Sequence, residues 1–193
     1  MKTKGPSHVL INPTWGRPVT NKAKLNMDQA VESLSSLRGK YVWSVRCGEY
    51  GVLRLDFGSP HLLVREPSPT AGKSERLAIV LQRRLVIPTG EWHLFIEAGL
   101  WSVEAGGFRC NRLDEQFDTR AFDQLDGQKL VSVAYAPASA GWLFTFDLSG
   151  TLLIQEQHLE EDEDTQWTLF FERGGSLSCE AGNQFFLEEN DDV

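Results

Sequence analysis

The chain contains the same short β-rich pattern twice along its length. Leu37–Val45 (LRGKYVWSV) and Leu125–Val133 (LDGQKLVSV) share Leu, Gly, Ser and Val at one constant offset. Four further pairs of blocks follow in the same order: Gly51–Phe57 with Gly141–Asp147, His61–Glu66 with Thr151–Glu156, Trp92–Glu97 with Trp167–Glu172, and Ser102–Gly106 with Ser178–Gly182. This ordered repetition predicts a tandem duplication of one unit of about sixty to seventy residues.

Most of these blocks alternate apolar and polar residues with the period of a β-strand. In Trp92–Glu97, for example, Trp92, Leu94 and Ile96 share one face. Glycine-rich turns such as Arg173–Gly175 separate the predicted strands. A lone small sheet cannot bury its apolar face, whereas two copies packed together can. We therefore predict a mainly β fold (α+β with short helices), in which each duplicated antiparallel unit has about five strands.

A short helix is predicted before each unit. Apolar residues recur at helical spacing in Asn26–Leu37 and in Asp114–Leu125, and both segments run directly into a Leu-x-Gly sequence. Gly39 and Gly127 are natural helix stops. The predicted organisation is a basic N-terminal arm (1–25), a first helix-plus-β unit (26–112) with an insertion at 68–90, and a second helix-plus-β unit (113–193) with an acidic tail. Whether the two units share one core stays open.

The charge distribution divides the chain into a basic leader and an acidic body. The first 40 residues hold seven Lys or Arg and two Asp or Glu, for a net charge of +5. The remaining 12 basic and 25 acidic residues give a net charge of −13. An acidic body repels nucleic-acid phosphates and attracts basic protein surfaces, so direct nucleic-acid binding and membrane association are not expected.

Localisation is predicted from the hydropathy of the sequence. No run of eighteen apolar residues is present, and the N-terminus lacks the apolar stretch of a secretory signal. The three cysteines are widely spaced and odd in number, which argues against a disulfide framework. We predict a cytoplasmic protein with reduced thiols.

No catalytic, cofactor or metal motif is present in the sequence. Gly72–Ser74 resembles the end of a phosphate-binding loop, but Pro67 replaces the first glycine and Pro69 removes a backbone donor. The repeated carboxylates are explained as solvated strand ends, and the histidines share no ligand spacing. The carboxylates are Glu97, Glu172, Glu104 and Glu180, and the histidines are His8, His61, His93 and His158. We predict no enzyme, no cofactor and no metal, although a nucleophile–base pair that forms only in the fold, such as Cys110 with a distant histidine, stays possible.

Two acidic runs are the clearest charge features. Their carboxylates are the candidate partner-binding residues: Glu160, Glu161, Asp162, Glu163, Asp164, Glu188, Glu189, Asp191 and Asp192. One alternative is that they form a solvated hairpin tip and a frayed terminus. The other is that they dock a basic partner, because electrostatic attraction speeds association and improves selectivity. The tryptophans Trp15, Trp43, Trp101 and Trp142 serve as aromatic anchors if exposed and as core if buried.

The strand pattern loosely resembles that of small β-rich immunity proteins, which accompany bacterial polymorphic and contact-dependent toxins. The resemblance rests on the Leu-x-Gly-x-x-Val strands, a Leu-x-Leu-Asp-Phe block and a Trp-x-Leu block that ends in Gly. It covers residues 37–107 and 125–183. It implies an acidic surface that matches a basic toxin, frequently a nuclease.

Four functional hypotheses follow. The first is a protein-binding inhibitor that neutralises a basic partner, such as a toxin or a nucleic-acid-binding protein. The second is a nucleic-acid mimic or accessory subunit of a bacterial defence or counter-defence complex. The third is a structural scaffold module that presents two similar surfaces. The fourth is an enzyme, which requires carboxylates or histidines to converge in a pocket.

Overall fold

The computed structural model describes residues 21–67, 79, 81–157, 165–172 and 174–189. Helix α1 covers Met27–Ser35, and helix α2 covers Arg120–Leu125. The first seven strands are β1 Asn21–Leu25, β2 Val42–Cys47, β3 Leu53–Phe57, β4 His61–Arg65, β5 Leu85–Thr89, β6 Trp92–Ile96 and β7 Leu100–Ala105. The others are β8 Phe108–Asn111, β9 Leu130–Ala136, β10 Gly141–Phe146, β11 Thr151–Gln155, β12 Thr165–Phe171, β13 Ser176–Glu180 and β14 Gln184–Glu189.

The strands form two main antiparallel sheets and a separate hairpin. The first sheet has the order β1-β14-β13-β12-β6-β3-β2, and the second has the order β8-β7-β11-β10-β9. Within the described part of the chain, strands β4 and β5 pair only with each other. The predicted mainly β fold with antiparallel strands and short helices is therefore confirmed. No helix within the described residues is long and apolar enough to cross a membrane.

The two sheets enclose one hydrophobic core to which both halves of the sequence contribute. Trp142 of β10 in the second sheet is 2% exposed, and its ring centroid lies 5.8 Å from that of Trp167 in the first sheet. The Phe185 ring lies 5.5 Å from the same indole. These three rings belong to the second predicted unit. Trp101 of the first unit lies in the same core, and its ring centroid is 5.8 Å from that of Phe122 in the second unit, so the two predicted units share a core.

The helices cover the apolar residues that the sequence assigned to them, with changed boundaries. Helix α1 begins at a capping box, in which Asn26 Oδ1 accepts from Gln29 N and Gln29 Oε1 accepts from Asn26 N. Helix α2 is shorter than predicted, because residues 114–119 form an irregular loop. At the start of this loop, Asn111 N donates a hydrogen bond to Asp114 Oδ2. Phe117 therefore lies before the helix and is 38% exposed.

Where the two halves meet, they exchange a reciprocal set of backbone hydrogen bonds. The bond from Gly39 N to Leu130 O corresponds to the bond from Gly127 N to Val42 O. The bond from Val42 N to Gln128 O corresponds in the same way to the bond from Leu130 N to Lys40 O. In each case the corresponding residues are separated by the constant offset of the first repeated block. Tyr41 and Lys129 form a β-bridge at the centre. Gly39 and Gly127 both have positive φ, at 77° and 89°, which glycine adopts without strain. This local two-fold arrangement is what a duplicated unit would produce, and the duplication itself stays a prediction.

The strand order extends this relation but changes how the repeated blocks correspond. Each half places three strands in one sheet (β2-β3-β6 and β9-β10-β11) and its next two in the other (β7-β8 and β12-β13). By position, β6 corresponds to β11 and β7 to β12. The sequence alignment instead matched β11 with β4, which lies in the separate hairpin. Only the first two block pairs lie on corresponding strands, because local similarity among amphipathic strands does not fix their order in space.

The predicted insertion at 68–90 lies partly within the described residues. Strand β5 is its last segment and pairs in antiparallel register with β4, so that Leu62 faces Pro88 and Val64 faces Val86. Residues 68–78 and residue 80 lie outside the described residues, and so does the Gly72–Ser74 motif.

Candidate functional site on the outer face of the first sheet

The first sheet has an outer face that points away from the core and carries polar, aromatic and charged side chains in two rows. From β3 to β1, one row contains Arg54, Phe95, Thr168, Ser178, Phe186 and Lys24. The next row contains Asp56, His93, Phe170, Ser176, Glu188 and Lys22. Because side chains alternate along each strand, the core-facing residues between them, such as Leu94 and Leu169, are fully buried.

This outer face contains a cavity of about 260 Å³, which we call the acidic cavity. Three carboxylates line it, namely Glu97, Glu180 and Glu188. The rings of Phe95 and Phe170 also line it, with centroids 5.8 Å apart in an edge-to-face arrangement. The cavity thus combines negative charge with an aromatic wall, and both favour a cation.

Cations of the chain itself already interact with this face. Lys22 lines the acidic cavity, and its Nζ lies 3.1 Å from Glu180 Oε1 and 4.1 Å from the centroid of the Phe186 ring. The guanidinium of Arg54 lies 4.7 Å from the centre of the Phe95 ring. Among the described residues, neither Glu97 nor Glu188 forms an ion pair, so both carboxyls stay available to a cation from outside the chain.

The Glu97 carboxyl is the most perturbed of the three. It follows the last residue of β6, is half-buried, and lies beside the Phe95 ring on the same strand face. Burial raises its pKa to about 7, and the positive charge of Arg54 only partly opposes this effect. The sequence-based expectation of a fully solvated strand-end carboxylate is therefore wrong for Glu97.

The raised pKa of Glu97 makes stability depend on pH. In the folded chain the carboxyl holds its proton up to about pH 7, whereas the unfolded chain releases it near the ordinary glutamate pKa of 4.5. The resulting stabilisation is complete below the unfolded pKa and is lost as pH rises through the folded pKa. We expect Glu97→Gln to leave the free energy of unfolding unchanged at pH 4 and to raise it by about 1–2 kcal/mol at pH 8, after allowance for solvent screening.

Urea unfolding at both pH values measures this difference. The matched control is Glu32→Gln, an exposed glutamate on α1, which should give the same small change at either pH. An equal gain for Glu97→Gln at pH 4 and pH 8 would contradict the raised pKa.

Two residues with hydroxyl side chains complete the lining of the acidic cavity. Thr168 and Ser176 both line it and are each 7% exposed. Within the described residues, neither side chain makes a hydrogen bond to the protein. The two hydroxyl oxygens are not among the buried side-chain atoms that lack a partner, so they are accessible and can donate to or accept from a molecule in the cavity.

A buried Asp–His pair lies beside the cavity in the same row as Phe170. Asp56 is 4% exposed, and its Oδ1 lies 2.7 Å from His93 Nδ1. The same oxygen accepts from Gly90 N at 2.9 Å and from Thr89 Oγ1 at 3.2 Å. Since Asp56 also ties down the β5–β6 connection, the pair serves as a structural junction between β3, β6 and the β4–β5 hairpin.

The predicted partner-binding residues have different outcomes. Glu188 lines the acidic cavity, and Glu189 is exposed on β14 opposite Asn21. The run Glu160–Asp164 and the tail residues Asp191 and Asp192 lie outside the described residues. Sequence reasoning missed Phe95, Thr168, Phe170 and Ser176 as site residues, although the strand alternation already placed Phe95 and Glu97 on one face.

The cysteines and the described tryptophan candidates belong to the framework of the fold. Trp15, His8 and His158 lie outside the described residues. All three cysteines are free thiols, and Cys110 and Cys179 are buried. Burial raises the pKa of Cys110 to about 11, so its thiol is protonated at neutral pH and unsuited to act as a nucleophile. Trp101 and Trp142 are core residues, and Trp43 is half-buried with its Nε1 donating to Gly58 O. No group of three or more metal-ligating side chains occurs among the described residues.

A second surface feature lies on the β4–β5 hairpin. One of its faces presents adjacent apolar side chains, with Leu62 66% exposed and Val64 and Val86 each 49% exposed. Contiguous exposed apolar side chains are typical of protein-contact surfaces.

Comparison with protein-family models, with curated proteins and with solved structures finds no match to this chain.

Proposed function

We propose that this chain is a protein-binding inhibitor, similar in role to an immunity protein, that neutralises a basic partner such as a toxin nuclease through an acidic surface. The observation that carries the proposal is the acidic cavity, where neither Glu97 nor Glu188 forms an ion pair among the described residues. In this proposal the protein acts by binding, not by catalysis, and it does so in the cytoplasm.

The exposed apolar face of the β4–β5 hairpin supports a protein as the partner. Stable protein interfaces combine apolar contact area with a polar or charged surround. An acidic cavity alone would suit any cation, whereas Leu62, Val64 and Val86 offer area that only a larger partner covers. Together the two features favour a folded basic protein.

Affinity capture from host lysate tests this function. We expect the tagged chain to retain a basic protein at low salt and to lose it progressively at high salt, because exposed charge pairs are screened. The triple variant Glu97→Gln, Glu180→Gln and Glu188→Gln should weaken the affinity for the identified partner about 10- to 100-fold.

The control for this capture is Glu32→Gln combined with Asp123→Asn and Glu115→Gln, which removes the same charge from exposed positions elsewhere. A control variant that loses the partner as strongly as the cavity variant would contradict a localised acidic interface. Competition between the retained partner and nucleic acid would identify the nucleic-acid mimic instead.

A further inference from the structure

We propose that the acidic cavity receives one lysine side chain of the partner and that Lys22 is its intramolecular competitor. This inference rests on the proposed function and deepens it, since it names the chemical group that the acidic surface recognises.

The size of the cavity favours a single side chain. Small-molecule sites usually occupy about 300–1,000 Å³, and the acidic cavity has about 260 Å³. A partner side chain needs only one open end, through which it enters from the surface. Lys22, whose side chain is 46% exposed, lies at the solvent-exposed edge of the cavity.

The lining matches the donors of an ammonium group. Lysine carries three N–H donors and no acceptor. The cavity offers oxygen atoms from three adjacent segments: Glu97 after β6, Thr168 on β12 and Ser176 on β13. Neither hydroxyl has a protein partner within the described residues, and both residues are more than nine-tenths buried. A lysine ammonium would satisfy them and neutralise Glu97 at once.

The aromatic wall suits the remainder of the side chain. The four-carbon stem of lysine packs on apolar surface while its charge reaches polar groups. Phe95 and Phe170 supply this surface, and each is less than a tenth exposed. The ammonium of lysine can direct its three donors to oxygens of different segments, whereas the guanidinium of arginine donates only within its own plane.

Within the folded chain, Lys22 is already bound in the way that we propose for the partner's lysine. Its ammonium lies over the Phe186 ring and also binds Glu180. It reaches the cavity from β1, an edge strand on which the described side chains of residues 22–24 are exposed. A lysine from the partner must therefore share the carboxylates with Lys22. Removing the Lys22 charge frees Glu180 and strengthens binding.

Binding of capped amino acids to the full chain tests the inference. The probes are N-acetyl-lysine methylamide and its uncharged analogue N-acetyl-norleucine methylamide, titrated while the backbone amide signals are followed by NMR. We expect the lysine probe to cause saturable shifts at Phe95, Thr168 and Ser176, and the norleucine probe to cause none. Glu97→Gln should weaken the lysine probe at least five-fold, and Lys22→Gln should strengthen it about three-fold.

Glu32→Gln is the matched control and should leave the affinity unchanged. Equal binding of both probes, shifts that map away from the acidic cavity, or an unchanged affinity in Lys22→Gln would each overturn the inference. The two proposals fail separately. If the lysine probe does not bind while the triple variant still loses the partner, the lysine inference fails alone. If the probe binds but no partner is captured, the inhibitory function fails alone.

Discussion

Trp142→Ala is expected to lower the free energy of unfolding by about 3–5 kcal/mol, the cost of removing a large buried aromatic side chain. The indole lies between the two sheets and is 2% exposed. Its ring contacts Tyr135 on the neighbouring strand and both Trp167 and Phe185 across the core, at centroid distances of 5.5–5.8 Å. Its removal leaves a cavity between the two sheets.

Two further variants separate packing from the polar atom of the indole. Trp142 Nε1 is buried and has no hydrogen-bond partner among the residues that the structure describes. Trp142→Phe keeps most of the ring contacts and removes this unpaired donor, so it should cost less than half as much as Trp142→Ala. Leu148→Ala truncates a side chain that is 70% exposed and should change stability by at most about 0.5 kcal/mol.

Urea unfolding followed by tryptophan fluorescence and by far-ultraviolet circular dichroism measures these changes. We expect both signals to report a single transition in the unmodified chain and in Trp142→Ala, because both halves contribute to one core. Two separated transitions, with only the later half of the sequence destabilised, would show that the units unfold independently.

The fold class could be predicted from the sequence because strand alternation and glycine turns are local signals. Trp92, Leu94 and Ile96 alternate in the sequence, and β6 turns their faces towards the core as expected. The pairing of strands could not be predicted, since β6 binds β12 from the other half while β7 crosses to the second sheet. That choice depends on packing between segments far apart in the chain, which no local period encodes.

The acidic cavity was only partly predictable for a similar reason. The sequence identified Glu188 through a run of carboxylates, and it identified Glu97 only as one of a repeated pair. Their common location depends on the register that places Glu188 opposite Ser176 and Ser176 opposite Phe170. Burial of Glu97, which raises its pKa, also arises only once β6 and β12 are neighbours.

Asp56→Ala is expected to lower the free energy of unfolding by about 2–4 kcal/mol, because it leaves buried donors without an acceptor. One carboxylate oxygen accepts hydrogen bonds from Gly90 N and Thr89 Oγ1, and it lies 2.7 Å from His93 Nδ1. Asp56→Asn keeps the shape and one acceptor, so it should cost less. Asp123→Ala, on the exposed side of α2, should stay within about 0.5 kcal/mol of the unmodified chain.

Chemical denaturation gives these energies, and amide hydrogen exchange shows where the effect is located. Since Thr89 and Gly90 connect β5 to β6, loss of Asp56 should speed exchange in the β4–β5 hairpin more than in the distant strand β10. His93→Ala removes only one neighbour of the carboxylate and should cost about 1 kcal/mol. Unchanged stability in Asp56→Ala would mean that the pair is not a structural junction. The buried Asp–His geometry would then point to acid–base chemistry, and the enzyme hypothesis would gain over the inhibitor.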